Sequence, residues 1–307
     1  LYLAGTSKTT TLQTAALNYK LIKKIKDDRF DEDKIHQYDL LVNIGTRDLQ
    51  VGVLDTLDKK MLLLEDYVFP ALSSHEQLIQ VLRQLFDEHA VLQAAFWNSI
   101  RVSIKNSKFV QVPKALFVEE AAHEYLKYNA RIDADEEVLK VDNPAAKAVT
   151  VFALHRDIKT WIVNVYPNRE IIFEHQSAAL IEGVMDFAKN RKDEFLYIYV
   201  DRFKLHILAC RDGKLLYYNQ FIIRQFSDYV KYIMLVLKSL GMNQESSQVM
   251  LWGYIGKNSP HYHEFYKYIS NVVFGERPSV VSFGYLFDEV QEHHFFDLYS
   301  MYLIGQK

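Results

Sequence analysis

The sequence holds one cysteine in 307 residues. That excludes an internal disulfide framework and a zinc-finger ligand set. The single thiol, Cys210, lies in the apolar run LHILAC and reads as a small core residue. Neither sign of charge dominates: 36 basic and 39 acidic residues leave a net charge of -3. Nothing in that balance forms an electrostatic footprint for nucleic acid. No apolar run approaches the ~18 residues of a membrane helix. The start, LYLAGTSKTTT, has neither a basic leader nor a long apolar stretch, so it does not read as a signal peptide. It begins on Leu1 rather than Met, for which an alternative start or a trimmed chain is the expectation. A cytoplasmic address follows by default. A P-loop, GxGxxG, CxxC and GxSxG are all missing, and no Ser-His-Asp or Cys-His arrangement stands out.

What is present is globular. Hydrophobic residues make up 49% and charged residues 24%, and the length suits two lobes of ordinary domain size. With 20 Tyr and 19 Phe, the chain can fill a large core and still present aromatics at an interface.

Residues 1–37 are weakly patterned, and KLIKKIKDDRFDEDK reads as a solvated face or loop. From Tyr38 the pattern sharpens. YDLLVNIG and DLQVGVLD alternate as strands around a turn at Gly45-Thr46, and MLLLEDYVF makes a third strand before Pro70. Ser73 and Glu76 have the spacing of a helix-capping pair, and Leu78, Val81, Leu82, Leu85 and Phe86 follow on one helical face. RVSIKNSKFVQV predicts one or two strands, and LFVEEAAHEYLKYNA a helix. The acidic RIDADEEVLKVDNPAAK reads as an exposed connection. Strand, helix, strand and helix follow through AVTVFAL, HRDIKTWIVNVYPN, EIIFEHQ and SAALIEGVMDFAKN. At Phe195 the opening theme returns as three strands, with a two-residue hairpin signal at Asp212-Gly213. A helix then runs from Ser227 to a stop at Gly241. A strand QVMLWG, a helix with Pro260 near its start, a strand PSVVSF and a helical tail VQEHHFFDLYSMYLI complete the chain.

The order strand-strand-strand-helix-strand-helix thus occurs twice, over 38–190 and 191–307. This is the layout of duplicated ribonuclease-H-like lobes, the actin-like ATPase fold, an α/β class. The stretches YDLLVNIGTRDLQVGVLD, LEDYVFP, KFVQVPKALF, VTVFALHRDI and HHFFDLY, in that order, resemble the domain of unknown function 3822 family of Bacteroides-group bacteria. More distantly, the layout is similar to pilus-assembly and cell-division members of the actin-like superfamily. The resemblance implies a fold, not a reaction.

It also implies where a nucleotide would sit. The superfamily's first phosphate loop reads Asp-x-Gly-Thr/Ser, and here Asn43, Gly45 and Thr46 hold those places. The turn survives, but an amide oxygen is a poor substitute for the carboxylate that Mg²⁺ favours. The second loop keeps Asp201 but has Phe203 in place of glycine, which is expected to crowd a phosphate. The adenosine loop keeps Gly253, followed by Tyr254, with Gly256 too late. These five positions, Asn43, Gly45, Thr46, Asp201 and Gly253, read as vestigial nucleotide loops, with no catalytic residue, no metal ligand and no cofactor expected.

Other motifs have plain readings beside the sharper ones. His261 and His263 point about 200° apart on a helix and cannot share an ion, and His261 with Glu264 would supply only two ligands. Tyr262, Phe265, Tyr266 and Ile269 form a stripe that is core unless exposed. Tyr262, Tyr266 and Tyr268, and separately His294, Phe295 and Tyr299, are candidate aromatic anchors on the second lobe. LLYYNQF reads as an internal strand, or else as an edge that pairs with another chain.

The expectation is a catalytically inactive scaffold that binds another protein, itself or a second species. Two rivals stay open. One is a nucleotide-dependent enzyme using ATP and Mg²⁺, with Asp201, Thr46 and Asp55 near the cleft. The other is a protein that holds a nucleotide without turnover.

Overall fold

The computed structural model describes residues 19–191, 195–225, 227–269 and 271–305. Residues 1–18 of the weakly patterned start lie outside them.

Strand β1 (Lys20–Lys26) is followed by β2 (Tyr38–Gly45), β3 (Asp48–Asp55) and β4 (Lys60–Val68). Helices α1 (His75–Glu88) and α2 (Ala90–Gln93) lead to β5 (Ser99–Lys105). Then come β6 (Phe109–Pro113), α3 (Ala122–Lys127), β7 (Glu136–Asn143), β8 (Ala148–His155) and α4 (Arg156–Val165). Strand β9 (Ile171–His175) and helix α5 (Gln176–Ala188) close the first half. The second half runs β10 (Phe195–Val200), β11 (Lys204–Arg211), β12 (Lys214–Ile222), α6 (Ser227–Ser239), β13 (Gln248–Gly253), α7 (Pro260–Tyr268) and β14 (Val272–Phe274). A short β15 (Ser282–Phe283) and α8 (Phe296–Ser300) end it.

The first lobe's sheet has the order β1-β4-β3-β2-β5-β9, with β15 also on β4. The second lobe's sheet is β12-β11-β10-β13-β14, and a small sheet β6-β8-β7 stands beside the first lobe. In both lobes an antiparallel meander continues into a parallel strand, β2 with β5 and β10 with β13. The duplicated layout is therefore present, and the fold is actin-like.

Local chemistry explains most elements. Helix α1 is capped by Ser74, one residue later than Ser73, because Ser74 and Gln77 have the same spacing as Ser73 and Glu76. The Gln77 side-chain oxygen accepts from the Ser73 amide at 2.8 Å. Asp212 and Gly213 turn with φ of 51° and 67°, as a two-residue hairpin requires. Asp157 to Val165 lies in a helix, its Ile158, Trp161 and Ile162 buried on one face.

Several expectations need correction. Lys20–Lys26 is a strand on the edge of the first sheet, not a loop. An edge strand needs few buried side chains, so Ile25 sits in the core while Lys24 reaches out to Glu65 at 2.8 Å. The acidic connection contains β7, an edge of the small sheet. LFVEEAAHEYLKYNA holds the end of one 3₁₀ turn, a second at Glu119–Ala121 and only the short α3.

The chain's end also crosses back. Val281, Phe287, Phe295, Leu298 and Tyr299 pack with Leu41, Leu54 and Met61 of the first sheet. Ala178 and Ala179 of α5 join that cluster, while Leu180, Ile181 and Val184 pack on the second sheet with Phe296. Helices α5 and α8 thus form a shared layer between the lobes.

Candidate functional site

A row of polar side chains crosses the first sheet on the face toward α5 and α8. Strand register sets Asp66 beside Gln50, Gln50 beside Asn43, Asn43 beside Ser103 and Ser103 beside Glu174. Registered neighbours point to the same side of a sheet. All five are at most 1% exposed. Along β5, Ser99, Arg101, Ser103 and Lys105 share this polar face, while Ile100, Val102 and Ile104 fill the core opposite.

The row is wired to both lobes. The Asn43 amide nitrogen donates to Gln50 Oε1 and to Asp297 Oδ2 of α8, each at 2.8 Å. Gln176, the first residue of α5, donates to the same Asp297 oxygen at 2.8 Å and to Asp201 Oδ2 at 3.2 Å. Tyr199 of β10 donates to Asp297 Oδ1 at 2.5 Å. Gln50 donates to the Tyr254 hydroxyl at 2.9 Å, and that hydroxyl donates to Asp66 at 3.1 Å. The Arg202 guanidinium pairs with Asp66 at 2.6 Å and lies 4.0 Å from the Tyr254 ring centre.

At the mouth of the two hairpins stands Lys105. Its ammonium lies 2.6 Å from Asp48 and 3.2 Å from Asp201, with the lysine 2% exposed. Burial by itself would depress the lysine pKa. Asp201, Asp48 and Asp297 more than reverse that and hold it above its ordinary value. Burial opposes ionisation of Asp201 too, but Lys105, Lys204 and His206 keep its carboxyl below the usual range. Asp48 is pushed upward, chiefly by burial and against the pull of Lys105. Asp66 rises to about 6, from burial that Arg202 only partly offsets. Beside them, burial lowers Lys204 to about 8 and His206 to about 3.

The expected loop residues divide. Asn43 and Asp201 come together, linked through Asp297 and Gln176. Gly45 leaves room for the Asp48 carboxylate, because a Cβ there would lie 2.0 Å from Asp48 Oδ1 and would displace it. Thr46 is exposed on the turn. Gly253 has φ of +93°, and a Cβ would meet the Val200 carbonyl at 2.1 Å, so backbone packing against β10 accounts for this glycine.

Two expectations are overturned here. Phe203 does not crowd the space between the hairpins. It is 41% exposed, and its ring centre lies 4.1 Å from the Arg47 guanidinium, so it joins the two hairpin tips from outside. Asp55 is not near the cleft. It pairs with Tyr38 at the far end of β3, where its carboxylate accepts the Leu57 amide at 2.9 Å.

Sequence reasoning passed over Lys105, Gln50, Asp66, Arg202, Tyr254, Gln176 and Asp297. Alternation in SIRVSIK was the available signal, because a strand paired on both sides ordinarily carries apolar residues on both faces. As arranged, the set does not fit a magnesium nucleotide. Asp48 and Asp201 are matched by Lys105, Asp66 by Arg202, and Asp297 by four hydrogen bonds. Among the described residues no three His, Cys, Asp or Glu side chains converge as a metal site. Nothing is described of the His261 and Glu264 side chains.

The aromatic candidates also separate. Phe295 is 3% exposed and Tyr299 0%, within the cluster on the first sheet, so they are core and not anchors on the second lobe. On α7 and its C-cap, Phe265 and Ile269 are buried, Tyr262 is half-buried against Phe274, and Tyr266 and Tyr268 are exposed. Cys210 is buried, which pushes its thiol up to about 12.

Residues 27–272 match the family described as "Protein of unknown function (DUF3822)". No curated protein matches the chain. A Bacteroides thetaiotaomicron VPI-5482 protein of actin-like ATPase fold and unknown function is similar in structure. Its TM-score is 0.76 at 22% identity, covering 89% of this chain and 98% of that one. A chain of a PilM-PilN type IV pilus biogenesis complex has a TM-score of 0.54 at 12% identity, covering 87% and 98%. At these identities the likeness shows the fold alone.

Proposed function

The chain belongs to this family of proteins of unknown function, and we propose that it is a scaffold or protein-binding module without nucleotide turnover. The supporting observation is the Lys105 ammonium between Asp48 of the first lobe and Asp201 of the second. A tethered cation stands against Asp201, the one carboxylate kept from the superfamily's loops, and it joins the lobes without any ligand. The Arg202–Asp66 pair and the Tyr254 hydroxyl reinforce the same closure. The protein then needs no cofactor, and its function is to hold another protein, of another kind or a second copy, in the cytoplasm. No described helix is long and apolar enough to cross a membrane. That a chain of a PilM-PilN complex shares the fold agrees with a role in assembly.

Isothermal titration with ATP and ADP, with and without Mg²⁺, tests the reading directly. No heat of binding and no phosphate release above background are expected. Turnover that disappears in Asp201→Ala would establish the enzyme instead. Binding without turnover would leave a nucleotide-holding protein.

A further inference from the structure

We propose that the groove between β6 and β12 takes an extended, acidic segment of a partner protein, which adds as a strand to β12. The proposal rests on the scaffold reading and gives it a surface.

Strand β12 ends the second lobe's sheet, and β6 ends the small sheet. Among the described residues β12 pairs only with β11, and β6 only with β8. The free edges of both strands line one groove of about 660 Å³. Its lining includes Phe109, Gln111, Ala146, Lys147, Leu216 and Tyr218. A free strand edge offers a line of unpaired backbone donors and acceptors, and an extended chain is the conformation that matches them. Natural edges are commonly blunted by charge or proline. Within the lining part of β12, Leu215 to Gln220, there is neither. Leu216 is 47% exposed there, a large apolar side chain on an unprotected edge.

Charge narrows the occupant. Among the described residues Lys147 is the groove's one charged lining residue, and no carboxylate lines it, although the chain has 39 acidic residues. A basic segment would find no counter-ion there, whereas an acidic one would find Lys147. The inner wall gives specificity through Phe109 and Tyr218, whose ring centres lie 5.7 Å apart.

The test is selection of peptides from a random displayed library on the full chain, followed by titration of the best synthetic peptide. We expect an extended peptide with net negative charge. Leu216→Asp should weaken it at least tenfold and Lys147→Glu about fivefold, both at wild-type melting temperature because both side chains are exposed. Amide exchange at 109–113 and 215–220 should slow on binding. The proposal fails if no peptide is selected, if both variants bind as wild type, or if protection falls elsewhere. It also fails if the occupant is this chain itself. That would show as peptides matching residues 1–18 whose removal opens the groove, or as concentration-dependent dimers lost in Leu216→Asp. Nucleotide titration is independent of these outcomes, so the scaffold reading and the groove can fail separately.

Discussion

Lys105 on the first lobe and Asp201 on the second approach to 3.2 Å, with Asp48 at 2.6 Å from the same ammonium. One cation thereby holds two carboxylates, one from each lobe, in a region sealed from water. Removing it leaves two buried carboxylates without their shared cation.

Lys105→Met should therefore cost about 3–5 kcal/mol, the range for breaking a buried pair by deleting one partner. Urea unfolding measures it. Adding Asp48→Asn should recover part of the loss, because one of the stranded charges goes. A single variant as stable as wild type would mean that the bridge does not hold the lobes.

Asn43→Asp should not create a magnesium site. The new carboxylate would lose the donations to Gln50 and Asp297 and would face the Asp297 carboxylate. The expected result is a destabilisation of about 2–4 kcal/mol at neutral pH, on the scale of unsatisfied buried groups that carry charge, and no Mg²⁺-dependent heat with ATP. Gain of such binding in this single variant would show that the network yields more readily than its geometry implies.

Burial raises Glu174 and Glu182 to about 7. For each, the folded state binds more protons than the unfolded one between roughly pH 4.5 and 7. Their contributions are full below that window and are lost as pH rises through it. Glu65 has the opposite sign: although burial opposes ionisation, His89 and Lys24 lower it to about 2. Its contribution is lost only as pH falls below about 4.5. Glu182 has an uncharged partner, Asn143, at 3.1 Å, so Glu182→Gln isolates its share. The variant's unfolding free energy should fall less steeply from pH 5 to 8, by at most about 3 kcal/mol in total. An unchanged slope would remove Glu182 from this account.

Phe295→Ala should cost about 3–5 kcal/mol, as for other buried aromatic truncations. Tyr266→Ala, at an exposed position, should stay within about 0.5 kcal/mol. Thermal melts of the two variants settle which aromatic is core.

Phe203→Gly restores the superfamily's glycine but should not restore nucleotide binding, since the ring lies outside the filled cleft. Loss of the Arg47 contact at an exposed site should cost no more than about 1 kcal/mol, against any gain in ATP affinity that titration detects.

By itself the sequence determined what depends on local spacing and on its repetition. The two meanders, the Asp212-Gly213 turn, the face of α1 and the duplicated order were all legible, because alternation and helical period are properties of neighbouring residues. The altered loop positions were legible too, since Asn43 and Phe203 depart from a short motif. Only the tertiary structure decided what fills the cleft. Lys105 and Asp201 are 96 positions apart, and Asn43 and Asp297 are 254 apart, distances over which no periodicity carries information. Lys20–Lys26 and β7 were misread for a related reason. An edge strand buries one face at most, so its charge-rich composition matches that of a loop until a neighbouring strand supplies the pairing. Phe295 and Tyr299 looked like second-lobe anchors from their place in the chain. The return of the C-terminus across the cleft makes them core of the first sheet instead, because burial depends on which surface the chain comes back to.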